Sequence, residues 1–86
     1  MQIVLKKSAE KDLDKLRGKV FESVAKKIKE LENFPNVSNV KKLTKFDPKY
    51  RLRVGSYRVL FDVAKEKIII CRIKHRKNAY LNARLG

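Results

Sequence analysis

Three guanidinium groups recur near the middle of the 86-residue chain: Arg51, Arg53 and Arg58 sit on two strand-like runs, YRLRV and YRVLFDV, separated only by Gly55-Ser56. Lys74-His75-Arg76 follows further on, and then Tyr80. In an extended strand side chains alternate between faces, so Arg51 and Arg53 point one way and Tyr50, Leu52 and Val54 the other. In the next run Tyr57, Val59, Phe61 and Val63 share one face and Arg58, Leu60 and Asp62 the other, and the short turn brings Arg58 across from the first two arginines. Cations held side by side repel one another unless an anion lies among them, and the planar fork of arginine matches phosphate oxygens. The chemistry open to these residues is therefore the binding of a phosphate and the stabilisation of negative charge building on it.

The elements that position them are legible from the punctuation of the chain. Gln2 to Leu5 is an apolar run long enough for one strand, and Ser8 with Glu10 just behind it marks a helix start. Leu13 and Leu16 face one side of that helix, with Asp12, Asp14 and Lys15 outside, and Gly18 divides it from a second helix. From Val20 the apolar residues Val20, Phe21, Val24, Ala25, Ile28 and Leu31 recur at helical spacing, which predicts one face packed on a sheet. Asn33-Phe34-Pro35-Asn36 ends the helix because proline cannot continue the hydrogen-bond ladder. Residues 37–49 read as a polar connection anchored by Val40, Leu43 and Phe46, with a turn at Asp47-Pro48. The remainder reads as an antiparallel meander: YRLRV, a turn, YRVLFDV, a turn near Ala64 to Glu66, and KIIICRI.

The expected fold class is α+β, a single domain over residues 1–86. An N-terminal strand and a helical hairpin pack on an antiparallel sheet in the order β-α-α-β-β-β, and a short helix or docked tail lies over residues 76–85. Where the last strand ends is left open by the pattern, and with it whether Lys74 or His75 reaches the arginine groove, because the two residues have opposite parity. Arg72 is expected to pair with Asp62 or Glu66 in a structural role.

Composition narrows the function. A hydrophobic share of 43% supports one small core, and Cys71 is the only cysteine, so neither a disulfide framework nor a thiolate metal cage is available. Its apolar setting, IIICRI, reads as a core thiol, and no cofactor is expected. The start of the chain lacks an apolar signal, and no run approaches the ~20 residues of a membrane span, so a cytoplasmic protein without a membrane partner is expected. The net charge is +14, unevenly spread: residues 1–32 hold nine Lys/Arg against six Asp/Glu, and residues 33–86 hold fourteen against three. A basic half of that strength steers polyanions and gives binding that weakens steeply with salt. Lys45 and Lys49, in the polar connection, join Arg51 as expected RNA-binding residues.

The order strand, helical hairpin, meander, together with RLRVGSYRVLF (Arg51 to Phe61) and RIKHRKNAYL (Arg72 to Leu81), resembles the toxins of bacterial and archaeal toxin-antitoxin pairs, the RelE/ParE superfamily, over essentially the whole chain. Its RelE branch comprises small ribonucleases that enter the A site of the small ribosomal subunit and cut messenger RNA there, each silenced by an acidic antitoxin. The resemblance implies such a toxin here, with the ribosome, messenger RNA and a cognate antitoxin carrying an acidic, helical segment as partners.

By position, the resemblance implies that Arg53, Arg58, Lys74, His75, Arg76 and Tyr80 are catalytic. Attack by a ribose 2′-hydroxyl on the adjacent phosphate leaves a cyclic phosphate and a free 5′-hydroxyl, and requires a base, an acid and charge stabilisation. Arg58 and Arg76 hold the phosphate oxygens, Arg53 or Lys74 stabilises the attacking oxygen or acts as base where a crowded cationic site lowers a lysine's pKa, His75 protonates the leaving oxygen, and Tyr80 stacks a base or orients the hydroxyl. Where many relatives carry aspartate after the glycine and a small residue before the histidine, this chain has Ser56 and Lys74. Two other readings use the same features: a ParE-like poison of DNA gyrase, and an RNA-binding module without catalysis. Because both strand tyrosines share parity with the apolar positions, the basic face has little aromatic surface for stacking bases.

Overall fold

A computed structural model describes residues 1–79 of the chain. The elements run β1 (Gln2–Leu5), α1 (Lys7–Asp14), α2 (Gly18–Glu30), β2 (Val40–Lys42), β3 (Tyr50–Val54), β4 (Tyr57–Ala64) and β5 (Lys67–His75). They form one five-stranded sheet in the order β1-β5-β4-β3-β2, with both helices on one face. This is the α+β architecture expected from the sequence, with two additions. β1 lies within the sheet, parallel to β5, and residues 40–42 of the polar connection are an edge strand antiparallel to β3.

Both additions follow from how the ends are tied. Val40 pairs with Leu52 and turns its side chain onto the core, which anchors an otherwise polar VKK run. A parallel pair needs a long crossover, and the helical hairpin between β1 and β5 is part of one.

The core is continuous between the helices and the sheet. Val24, Ile28 and Leu31 from the second helical segment, with Ala9 and Leu16, meet Leu52, Val54, Val59, Phe61, Ile68, Ile70 and Ile73 from the strands. Phe61 is fully buried and stacks on Tyr50, with centroids 5.4 Å apart, while Phe34 meets both rings edge-on. The apolar stripe of α2 is only partly used, since Val20 and Phe21 remain about two-fifths exposed, at 41% and 39%. On α1 the outward assignment of Asp12 is overturned. Its carboxylate accepts hydrogen bonds from Arg72 Nε at 2.8 Å, Arg72 Nη2 at 3.2 Å and the Ile73 backbone N–H at 2.9 Å, which pins α1 to β5. Arg72 therefore does have a structural role, but its partner is Asp12 and neither Asp62 nor Glu66.

Register is interrupted once. Opposite the Leu60/Phe61 step the partner of Leu60 is Arg72 and that of Phe61 is Ile70, leaving Cys71 as an extra residue in β5. Such a bulge shifts the parity of everything after it. Ile68 and Ile70 reach the core before it and Ile73 after it, while Ile69 is half-buried and Cys71 is buried with its Sγ 4.0 Å from Asp62 Oδ2. Burial pushes the Cys71 thiol pKa up, so the residue remains a neutral thiol.

The β3–β4 turn depends on Gly55, whose φ of +57° is left-handed. A Cβ placed there meets nothing within 4 Å, so only the backbone opposes a larger residue. Gly55→Ala is expected to cost about 1–2 kcal/mol, read as a lower urea midpoint with an unchanged m-value.

Candidate phosphate-binding face

β3, β4 and β5 place cations in direct register on the face away from the helices. Arg53 pairs with Arg58 and Arg58 with Lys74, so three positive side chains form a row across three adjacent strands. At the usual strand spacing this row spans about 10 Å. One step along the strands, Lys41 of β2 pairs with Arg51, and Arg51 with Leu60. Like charges directly opposite one another destabilise a sheet. Among the described residues no carboxylate forms an ion pair with Lys41, Arg51, Arg53, Arg58 or Lys74; the ion pairs there are Lys27–Glu30 and Arg72–Asp12. No ion pair among the described residues offsets that repulsion.

The Gly55-Ser56 turn organises the end of this face. Arg58 Nη1 donates to the Gly55 and Tyr57 carbonyls, both at 3.0 Å, which fixes the guanidinium against the turn. The backbone N–H of Arg76 donates to the Ser56 carbonyl at 2.7 Å, tying the chain just past β5 to the same turn, with the Arg76 residue exposed. Arg51 is half-buried, and its Nε is buried without a hydrogen-bond partner among the described residues. A buried donor left unpaired costs about 1–3 kcal/mol, which an incoming anion can recover.

The remaining expected site residues divide by parity and by position. β5 runs through His75, so Lys74 is the residue that shares the arginine row. His75 pairs with Tyr57 and falls on the other face, its ring edge-on to Tyr57 at 5.5 Å. Its Nδ1 accepts the Lys77 backbone N–H at 3.3 Å. Lys45 and Lys49 are exposed on the loop between β2 and β3, and that loop is held to the sheet by the Lys49 N–H donating to Asp62 Oδ1 at 2.8 Å. Residues 76–79 form a turn, and Tyr80 and the rest of the expected helix or tail lie outside the described residues. Lys41 was missed by sequence reasoning. Its signal was the alternation Val40, Lys41, Lys42 beside an edge, too short to register as a strand.

A small strand-and-hairpin sheet carrying a cationic face defines a class, and comparison with known proteins names it. Residues 3–80 match the family described as ParE toxin of type II toxin-antitoxin system, parDE, and the chain belongs to that family. Within it the relatives point to the RelE branch. The chain is 31% identical to Toxin RelE3 of Methanocaldococcus jannaschii, over 93% of this chain and 96% of that one. It superimposes on the toxin of the RelB-RelE antitoxin-toxin complex from Methanococcus jannaschii with a TM-score of 0.77 and 30% identity, covering 92% of this chain and 96% of the other. The RelBE2 toxin-antitoxin complex of Mycobacterium tuberculosis gives 0.73 and 25%, over 87% and 96%. The isolated RelE toxin of E. coli shares the fold, with a TM-score of 0.70 at 19% identity over 99% and 98% of the two chains. The protein is a RelE-like toxin of a type II toxin-antitoxin system.

Proposed function

We propose that this toxin is a ribosome-dependent messenger-RNA endonuclease, acting in the cytoplasm in the A site of the small subunit and silenced by a cognate antitoxin with an acidic helical segment. The observation that carries this reading is the row Arg53–Arg58–Lys74, aligned across three strands with no carboxylate paired to it among the described residues. The 2′-oxygen attacks the adjacent phosphorus, the P–O5′ bond breaks, and the products are a 2′,3′-cyclic phosphate and a 5′-hydroxyl. Arg58 and Arg76 bind the non-bridging oxygens as their charge grows, and Arg53 stabilises the attacking oxygen. Lys74, on the same face, protonates the leaving oxygen in preference to His75. The proton of the 2′-hydroxyl passes to water or to a group of the ribosome, so activity on free RNA is expected to be low. Lys45, Lys49 and Arg51 hold flanking phosphates, and Tyr80 stacks a base. Charge on the scissile group is held by a fixed array, and the ribosome supplies the substrate's alignment.

Mapping of message ends after controlled expression tests the proposal. Cuts within codons on translating ribosomes are expected. Intact messages accompanied by gyrase-linked DNA breaks would instead favour the alternative reading, a ParE-like poison of DNA gyrase. A finer expectation separates the two residues at the end of β5. Lys74→Ala should lower cleavage by about 100-fold or more, and His75→Ala by less than about tenfold, because only the former faces the row. Loss of the edge contact with Tyr57 should make His75→Ala about 0.5–1.5 kcal/mol less stable, measurable by thermal unfolding.

A further inference from the structure

The second helix carries a polar line beside its apolar one. Lys19, Ser23 and Lys27 recur every four residues and so stand on one side of α2, next to Val20 and Val24. Both lines border a cleft of about 440 Å³ whose other wall is the β3–β4 turn with Arg53, Ser56 and Tyr57. Among the described residues no carboxylate lines this cleft, and neither Lys19 nor Arg53 forms an ion pair. Lys27 meets Glu30 of its own helix at 3.4 Å, in a solvent-exposed pair of the kind that contributes little. Val20 is left 41% exposed, and Tyr57, held edge-on by His75, is the aromatic side chain of the strand wall.

We infer that this cleft binds a nucleoside diphosphate as a regulatory ligand, and that the bound ligand takes Arg53 away from the guanidinium row. Lys19, Lys27 and Arg53 bring three positive charges to one cavity without a lining acid, which calls for a compact ligand carrying several negative charges. The hydroxyls of Ser23 and Ser56 add neutral donors for phosphoryl oxygens. The other half of the lining, Val20, Val24, Val54 and Tyr57, calls for a flat uncharged body, which the nucleoside supplies. The volume lies near the lower end of the roughly 300–1,000 Å³ typical of small-molecule sites, so it suits one nucleotide and not an oligonucleotide. Arg53 belongs to both places: its backbone is in register with Arg58 in the row, and it also lines the cleft. Its backbone N–H donates to the Asn39 carbonyl at 2.9 Å, which fixes the point from which the guanidinium swings. With Arg53 on the diphosphate, the row keeps only Arg58 and Lys74, so nucleotide and RNA weaken one another by the same factor. The regulatory half of this inference rests on the proposed phosphate site; the cleft itself does not.

The experiment titrates the full chain with ADP, adenosine and pyrophosphate by calorimetry, and with a fluorescent single-stranded 2′-O-methyl RNA that cannot be cut. ADP should bind about tenfold more tightly than either adenosine or pyrophosphate, because each control lacks one half of the match. Lys19→Ala and Lys27→Ala, both on the helix wall, should each weaken ADP about tenfold and leave RNA affinity within about twofold. Lys74→Ala, which alters the row alone, should leave ADP affinity within about twofold. Thermal melts establish that the variants fold. Saturating ADP should weaken RNA about tenfold, and saturating RNA should weaken ADP equally. Pyrophosphate binding as tightly as ADP overturns the nucleoside half of the site. An effect of Lys74→Ala on ADP as large as that of Lys19→Ala, or no effect of either helix variant, overturns the cleft. RNA affinity unchanged by saturating ADP overturns the role of Arg53. Failure of the wild type to bind RNA, with the effects of Lys19 and Lys27 on ADP intact, would remove the phosphate site and leave the cleft standing.

Discussion

Replacing Arg58 with alanine is expected to lower cleavage of translated message by about 10²–10³-fold while leaving the protein at least as stable as the wild type. The size follows from the place of the side chain. Arg58 is central in the row, with Arg53 and Lys74 as its two cross-strand partners, and its guanidinium is held at a fixed angle by the Gly55 and Tyr57 carbonyls. A donor fixed in place beforehand needs little reorganisation in the transition state, so on the proposed mechanism its removal should act on rate more than on binding. The stability half of the expectation has the opposite sign for the same reason. In the free protein Arg58 is repelled by both neighbours, so its loss relieves two unfavourable pairs while losing two hydrogen bonds to turn carbonyls. Arg58→Lys keeps the charge without the fork and should recover only part of the rate. Message-end quantification on purified translating ribosomes and a thermal melt of the same preparations read both halves.

The second large effect is on stability. Asp12→Ala removes the acceptor for Arg72 and for the Ile73 N–H together, leaving an unpaired guanidinium and an unpaired backbone donor where α1 meets β5. The carboxylate side chain is only 10% exposed but that of Arg72 is 41% exposed, so the loss should be about 2–3 kcal/mol, below the 3–5 of a fully buried pair. For a protein of this size that corresponds to a Tm lower by roughly 8–24 °C. Burial alone would raise the Asp12 pKa, but the hydrogen bonds from Arg72 and Ile73 and the nearby charges of Arg72 and Lys15 outweigh it and hold the pKa below its ordinary value of 3.8. A depressed folded-state pKa gives stability that is complete above the unfolded value and disappears as the pH falls through the folded one. Unfolding free energy measured by urea titration should therefore decline below about pH 4 in the wild type, with a shallower decline in Asp12→Ala.

How much of this was legible in the sequence depends on how local each signal is. The arginine face was readable because YRLRV alternates strictly and the Gly55-Ser56 turn sets the register of the next strand, so parity alone places Arg51, Arg53 and Arg58 together, although Leu60 puts a buried apolar residue on the same face. The same rule could not choose between Lys74 and His75, since β5 contains a bulge at Cys71 and the break in alternation at IIICRI shows only that a shift occurs. Asp12 lies on the polar side of its helical repeat, and nothing within α1 announces a partner sixty residues away in β5. β2 is three residues long and exists because β3 offers it an edge. The exposure of Val20 and Phe21 is the complementary case: helical periodicity marks an apolar stripe, but only the tertiary fold decides how much of that stripe the sheet covers.

The joint action of guanidinium groups from neighbouring strands on one phosphate is what the proposed cleavage requires. It is tested most directly by following the Nε–Hε resonances of Arg53 and Arg58 by NMR during titration with a non-cleavable 2′-O-methyl dinucleotide. Both resonances should shift along a single binding curve, and Arg58→Ala should abolish the shift at Arg53. Independent curves for the two arginines, or no response at either, would contradict the account.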